Sequence, residues 1–600
     1  MTIQEAKPYT ERLPKFEKSR LTSVHECFDY LLKLAENPAK NLPQALLVSD
    51  PVIDVFINIT GVKSHRESEN KEMILSQDPP IFNLGGGANV VDGLSNIGPG
   101  TMIARFGASD TVYGPIMKKL LGSLPPHIEQ VIIEDKDAPN AVKIRYVDSD
   151  GQVHIGAAHP NLPMSVHAEE QIIMAILDYS QKQSANNEKI PCIVSDYKRG
   201  GITPRILSAI SENINSNIFI NPRPTNTQED DKYNVNNAII IANRDEAIAL
   251  SNIKINDTDR GSLTNSVKMI QQKILDRFPK ISGIIVTLDK DGAMSKTRDD
   301  NFFHHTHSPI HKERVKNPSG AGDILILTLA VLSSVTDLQT ALDTAMWTAA
   351  ESVTKQGTTT LNTQLILEAK ERYELAHSLF YKSYSTTVEQ MSGNFVPAMA
   401  AELMANEMGR KDLTALIADL LYQPETKKSI YPDVVPFLER IIGIKNQTLM
   451  IFTQGEIIGD NNREGYQIAK IKDSGLKEFF KEPVIGGHNK IAEIEIHAPI
   501  LTSKFKNIVI IDDKIANIEG VQKAFLKEGI TTQGYLINRK GVNLSHVGIP
   551  DNVTIIESFD EIVTDNLSGE DRLWLIDFDY TLSDHEKVKS AFIPLVSKLL

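Results

Sequence analysis

The stretch "NPSGAGDILILTLAVL", residues 317–332, decides how the first half of this 600-residue chain is read. Gly320, Ala321 and Gly322 are small enough for a backbone to approach an anion closely, and the apolar run after them reads as a helix. The N-terminus of such a helix aims unpaired amides at the anion. Asp323 then stands at the helix mouth, where a carboxylate takes a proton from a substrate hydroxyl. The same residues also fit a plain glycine turn whose aspartate caps a buried helix. Taken alone, the stretch leaves both readings open.

Its surroundings favour the first. A second glycine turn running into a helix, "NLGGGANVVDGLSNIGPG" (83–100), contains Gly86 and places Asn89 to reach a polar ligand. Short apolar runs recur as "ALLVSD" (45–50), "PCIVSDY" (191–197), "NIFINP" (217–222), "AIIIAN" (238–243) and "GIIVTLD" (283–289), each ending in a polar or acidic residue. Apolar strands alternating with helical stretches predict an α/β domain whose strand C-termini open onto a ligand crevice.

Taken in order, these landmarks resemble the ribokinase-like (PfkB) carbohydrate kinases over roughly residues 45–365. "SDPVIDVFI" (49–57) matches the family's first strand, and the resemblance implies that Asp54 binds sugar hydroxyls. "IIIANRDEAIAL" (239–250) carries the Asn-x-x-Glu pattern, Asn243 and Glu246, associated with phosphate and magnesium. "GIIVTLDKDGA" (283–293), with Thr287 and Gly292, and "ESVTKQGTTTL" (351–361) resemble segments bordering the nucleotide. Within the family the chain is most similar to heptose-phosphate kinases, through "VSDYKRGGIT" (194–203) and "VKIRYVDSDGQ" (142–152). The latter reads as a hairpin of a small β lid, on which Lys143 and Arg145 would meet a sugar phosphate. Three features depart from that pattern: Asn221-Pro222-Arg223 where an Asp-Pro-Lys run is common, the uncharged lid strand "HIGAAHP" (154–160), and Met346 at a place often held by asparagine. The resemblance implies ATP as cosubstrate, Asp323 as base, Gly320, Ala321 and Gly322 as the phosphate cradle, and Mg2+ linked through Glu246.

Beyond residue 365 the pattern changes twice. Residues 366–440 are helix-rich, as in "MAAELMANEMGRKDLTALIADLLY" (399–422) and "VVPFLERII" (434–442), and read as a linker or cap. Strand-like runs then resume from 441 to 600: "TLMIFTQ", "NIVIIDD", "TTQGYLIN", "VTIIES" and "LWLIDFD". At the end of the last run, Asp577 and Asp579 flank Phe578, and Thr581 follows. One carboxylate there suits a nucleophile and the second a general acid, with a divalent cation relieving their repulsion; an ordinary polar turn is the simpler alternative.

"DFDYTL" (577–582) resembles motif I of haloacid-dehalogenase-like phosphatases. "LMIFTQG" (449–455) resembles their second motif, implying that Thr453 binds the phosphoryl group. Lys490 in "PVIGGHNKIAE" matches their lysine, and Asp512 and Asp513 match the fourth motif. The implied metal ligands are Asp577, Asp579, Asp512 and Asp513. Here the first motif comes last. A circularly permuted domain explains this order, its final strand inserting centrally and the helix in "EKVKSAFIPLVSKLL" (586–600) covering the sheet. A truncated second copy, or a strand exchanged with another chain, is the rival explanation.

The expected fold is therefore two doubly wound α/β domains behind an extension over 1–44, whose amphipathic piece is "VHECFDYLLKLAENP" (24–38). A net charge of −14 argues against a general nucleic-acid or anionic-membrane binder. Two cysteines, no signal-peptide core at the N-terminus and no apolar run of membrane length point to a cytoplasmic enzyme. Its partners would be a sugar or sugar phosphate and ATP, with a homodimer possible. The leading function is a bifunctional sugar kinase and phosphatase. The alternative is a sugar-phosphate-binding regulator with one or both sites degenerate.

Overall fold

The structure, a computed structural model, describes residues 21–600 apart from 42–44, 65–70, 77, 108–111, 149–152, 159–162, 187–189, 226, 254–262, 301–302, 356–358, 392–394, 423–428, 456–464, 481–483, 488, 540, 543, 545–546, 565–570, 585–588 and 599. Most of the expected extension and the turn of the lid hairpin lie outside these residues. The chain divides into two compact units, Met1–Glu374 and Leu375–Leu600. The helix Thr363–Gln390 runs through that division.

In the first unit the apolar runs become strands β1 (Ala45–Ser49), β5 (Gly100–Gly107), β6 (Ile128–Asp135), β9 (Cys192–Ser195), β10 (Ile218–Asn221), β11 (Ala238–Asn243), β12 (Gly283–Thr287), β13 (Ala293–Thr297) and β14 (His304–Thr306). They form one sheet in the order β14-β13-β12-β11-β10-β9-β1-β5-β6. Pairing is parallel from β12 to β6, and only the β12-β13-β14 edge is antiparallel. Side chains alternate across such strands. Leu46, Val48, Cys192, Val194, Ile218, Ile220 and Ile284 join a core with buried residues of helices Val166–Asn186, Pro204–Asn213, Arg244–Ser251 and Leu263–Arg277. Leu47, Ile193, Phe219 and Ile285, at the intervening positions, are equally buried. Helices Gly87–Ser95 and Ala321–Leu332 contact β1, and β9 and β10, respectively. Near-continuous apolar strands follow from burial on both faces.

Strand order reverses at β1, which lies between β5 and β9, and that is where open α/β sheets bind ligands. A separate sheet runs β3-β2-β7-β8 with β4 paired to β2: β2 (Pro51–Ser64), β3 (Lys71–Leu75), β4 (Ile81–Gly86), β7 (Ala141–Val147) and β8 (Val153–Ala158). The expected lid hairpin is the antiparallel β7–β8 pair. Ahead of β1, helix Val24–Glu36 starts at a Ser23/Glu26 capping box and buries Cys27, Phe28, Leu31 and Leu34.

The second unit has a six-stranded sheet in the order β16-β15-β20-β17-β18-β19: β15 (Gln447–Gln454), β16 (Ile485–Gly487), β17 (Asn507–Asp512), β18 (Gln533–Ile537), β19 (Val553–Ile556) and β20 (Arg572–Ile576). Every pairing is parallel. The last strand in sequence is thus a central strand, with Ile576 beside Ile451 on one side and Ile511 on the other. Its core residues Leu573, Trp574, Leu575 and Ile576 are buried, as a strand enclosed on both edges and both faces requires. Among the described residues the helix-rich region holds most of helix Thr363–Gln390 and then Pro397–Glu407, Thr414–Leu421 and Val434–Ile442, and the C-terminal helix is short, Phe592–Ser597. Phe380 stacks on Phe592 with centroids 5.4 Å apart, and Tyr384 on Phe395 at 4.6 Å. Among the described residues no helix is long and apolar enough to cross a membrane.

Candidate active sites

A cavity of about 760 Å³ opens in the first unit, and every residue singled out there from sequence lines it: Asp54, Gly86, Asn89, Lys143, Arg145, Asn243, Glu246, Thr287, Gly292, Gly320, Ala321, Gly322 and Asp323. The turn before helix Ala321–Leu332 bends through Gly320, whose φ of 89° lies in the left-handed region that suits glycine. A Cβ at Gly322 would meet open space, so the helix mouth is free for a ligand to approach.

Asp323 is buried at that mouth. One carboxylate oxygen accepts from Asn89 Nδ2 at 2.8 Å and the other from Tyr197 Oη at 2.6 Å. Burial raises its pKa above the usual carboxylate range, while these two donors oppose the rise. Gly86 carries the β4 turn at φ +60°, and a Cβ there would come within 2.8 Å of the Asp50 carbonyl. Asp54 pairs with Arg145 Nη1 at 2.8 Å. Lys143, beside them, is pushed below the usual lysine range by desolvation and by the Arg145 charge. Lys143 and Arg145 thus stand side by side at the Asp54 end of the cleft.

At the other end, Asn243 and Glu246 form a capping box for helix Arg244–Ser251. The Asn243 side chain accepts from Glu246 N–H, and the Glu246 carboxylate accepts from Asn243 N–H, each at 2.9 Å. Arg223 also pairs with the Glu246 carboxylate. The proposed magnesium-linked glutamate is thus engaged by protein groups here.

Sequence reasoning did not single out Tyr197, Asp50 or Asp196. Asp50, after β1, accepts from Arg199 N–H at 3.0 Å and Gly201 N–H at 2.7 Å. Asp196, after β9, accepts from Lys198 N–H, Lys232 Nζ and Tyr233 Oη. The two aspartates fold the 197–201 turn that carries Tyr197, Lys198 and Arg199 into the cavity. Burial and the neighbouring Asp196 charge push Asp50 up to about 6. The available signal for the two aspartates was an acidic residue closing the apolar runs "ALLVSD" and "IVSD".

With this geometry in place, the comparison with known families is decisive for the first unit. A model described as the pfkB family of carbohydrate kinases matches residues 57–365. The chain belongs to that family. Two similar curated proteins are both named Bifunctional protein HldE. That of Rhodopseudomonas palustris is 25% identical over 331 residues, covering 54% of this chain and 62% of the relative. That of Nitrobacter hamburgensis is 24% identical over 321 residues, with coverages of 52% and 60%. The chain thus spans about three fifths of the length of the curated relatives it matches. Among solved structures, phosphofructokinase-2 from Escherichia coli in complex with substrates and products aligns at 15% identity and a TM-score of 0.43, over 55% of this chain and 99% of that one. Ribokinase from Giardia lamblia aligns at 17% identity and a TM-score of 0.41, over 56% and 100%.

Outside the pfkB match, the second unit gathers its own polar cluster at strand C-termini. Asp512 ends β17, Asp577 follows β20, and Asp577 N–H donates to the Ile511 carbonyl at 2.9 Å. Lys490 opens helix Lys490–Lys504, which Asn489 caps by accepting from Ile491 and Ala492 N–H. Its buried ammonium donates to Asp512 at 2.6 Å and to Asp577 at 2.8 Å. Burial opposes this charge, but the two carboxylates outweigh it and hold Lys490 above the usual lysine range. Asp577 is raised well above the carboxylate range by burial and by Asp512 and Asp513, with Lys490 opposing. Burial and Asp512 push Asp513 up to about 6.

Asp512, Asp513 and Asp577 each offer a carboxylate oxygen, and these atoms lie within 4.8 Å of one another. An all-oxygen, anionic donor set suits a hard divalent cation such as magnesium. Asp579, expected among the same ligands, stands apart from that group: it accepts from Lys470 Nζ at 2.5 Å and Gln467 Nε2 at 3.2 Å. Thr453 is buried, and its hydroxyl has no hydrogen-bond partner among the described residues. Lys470, fully buried, was also missed; nothing local distinguishes it from a surface lysine.

Proposed function

We propose that the pfkB unit transfers the terminal phosphoryl group of ATP to a hydroxyl of a sugar phosphate, with a heptose phosphate the favoured acceptor. The observation that carries this reading is Asp323 buried at the mouth of a helix, in one cavity with Asp54, Lys143 and Arg145. In the reaction the acceptor oxygen bonds to the γ-phosphorus and the bond to the β-phosphate oxygen breaks. The acceptor proton passes to Asp323. Backbone amides of the 320–322 turn stabilise charge on the transferring group. Asp54 orients sugar hydroxyls, and Lys143 with Arg145 draws the acceptor's own phosphate to the lid. Asn243 and Glu246 serve the nucleotide phosphates, where Glu246 would help hold magnesium and the ion would neutralise phosphate charge.

For the second unit we propose a haloacid-dehalogenase-like phosphatase whose first motif has moved to the C-terminus by circular permutation. Support comes from the central position of β20 and from the approach of Asp577 to Lys490 and Asp512. Asp577 attacks phosphorus, the ester oxygen leaves with a proton from Asp579, and water later releases the phosphate with Asp579 as base. Thr453 and Lys490 hold phosphoryl oxygens. Magnesium, held by Asp577, Asp512 and Asp513, would neutralise charge on the phosphate and on the clustered carboxylates. A heptose route that makes a bisphosphate and then removes one phosphate would unite the two activities.

A regulator that binds sugar phosphate without turnover is the second reading, and the engagement of Glu246 by Arg223 favours it. The deciding experiment measures ADP formation over a panel of sugars and heptose phosphates, and magnesium-dependent hydrolysis of phosphate esters. Asp323→Asn should lower phosphoryl transfer by about 10²–10⁴ and spare hydrolysis. Asp577→Asn should abolish hydrolysis and spare transfer. Saturable sugar binding without ADP would sink the kinase reading, and hydrolysis unchanged in D577N would sink the nucleophile assignment.

A further inference from the structure

We infer that Tyr197 is a positioning residue that holds Asp323 for proton transfer, and that Arg223, anchored on Glu246, holds Tyr197 in turn. This rests on Asp323 being the kinase base. The phenol donates to one carboxylate oxygen at 2.6 Å while Asn89 takes the other, so the plane of the carboxylate is fixed from both sides. Three further contacts fix the tyrosine. Its turn is tied to Asp50 through the Arg199 and Gly201 amides. Its ring packs on the Gly86 bend, where a Cβ would come within 3.3 Å of Tyr197 Cδ2. The Arg223 guanidinium carbon lies 5.2 Å from the ring centroid, and that guanidinium pairs with Glu246.

A continuous chain of contacts therefore runs from the base through Tyr197 and Arg223 to the capping box at the nucleotide end of the cavity. A tyrosine that merely filled space would not direct its hydroxyl at the carboxylate. The charged and titratable groups around Asp323 are Tyr197, Arg223 and Asp54, the last already paired with Arg145. Tyr197 and Arg223 favour the carboxylate anion; burial and Asp54 favour its protonated form. Burial and the Asp323 charge keep the phenol protonated and hence a donor.

Removing the phenol hydroxyl should make Asp323 harder to ionise. In Tyr197→Phe the acid limb of kcat/KM should move to higher pH, and kcat should fall about tenfold, the scale of a lost hydrogen bond to a charged group, with acceptor KM little changed. Arg223→Met should move the limb the same way by less, and Arg223→Lys should restore it by returning the charge. The assay is acceptor-dependent ADP formation across pH, with Asp323→Asn alongside. If D323N is inactive and the Y197F limb superimposes on that of the wild type, this inference is overturned alone. If the wild type makes no acceptor-dependent ADP the kinase reading falls, and if D323N retains it the assignment of Asp323 as base falls; either result takes this inference with it.

Discussion

Asp323, at a helix mouth, and Asp577, just past the end of a parallel strand, are both buried carboxylates, yet their surroundings differ in kind. Asp323 contacts two neutral donors, Asn89 and Tyr197. Asp577 shares the ammonium of Lys490 with Asp512. A base must accept a proton and later release it, so neutral donors plus desolvation leave its charge adjustable. A nucleophile must be ionised beside a phosphate, and there the Lys490 cation favours the Asp577 anion against burial and the Asp512 and Asp513 charges, which raise it. The difference teaches that the polar partner of a carboxylate, rather than its depth, distinguishes the two proposed roles.

The largest test of that contrast is Lys490→Met. It leaves Asp577 and Asp512 buried without their cation, and breaking a buried pair by removing one partner costs about 3–5 kcal/mol. Thermal unfolding of the full chain should show the second unit losing that stability, with millimolar magnesium restoring part of it by taking the ammonium's place among the carboxylates. A loss that magnesium leaves unchanged would mean that the three aspartates hold no cation.

Asp50→Asn probes the first unit on a smaller scale. In the folded protein Asp50 is raised from 3.8 to about 6, a difference on the order of 3 kcal/mol. The folded state binds this proton more tightly than the unfolded state does. The contribution to stability is therefore fully present below pH 4 and is lost as pH rises through 6. Urea unfolding of the wild type between those values should show stability falling with pH, and D50N should flatten that slope. An unchanged slope would shift the titration to another group.

These partners also show what was legible beforehand. Apolar runs ending in Asp50, Asp196, Asp512 and Asp577 were readable because strand periodicity and a terminal carboxylate are local features. The late position of "DFDYTL" led to a central final strand, since an incomplete set of strand ends needed one more member. The partners themselves were not readable. Asn89 and Tyr197 reach Asp323 across 234 and 126 residues, and Lys470 reaches Asp579 across 109. Only tertiary packing selects such pairs. The pairing of Glu246 with Arg223 was hidden for the same reason, although each residue stands in a recognisable stretch of its own.

The smallest effect separates structure from ligand binding in the Asn-x-x-Glu pattern. Asn243 and Asn489 each cap a helix beside a proposed site, accepting from backbone amides one turn on. Substituting either by alanine removes the same kind of hydrogen bond and should cost about 1 kcal/mol. Asn243 differs in lining the cavity of the pfkB unit. Asn243→Ala should therefore raise KM for ATP as well as lower the unfolding midpoint, whereas Asn489→Ala should lower the midpoint and leave the ATP KM alone. If N243A changes stability only, the pattern is a helix cap, and the nucleotide phosphates are held by the 320–322 turn without it.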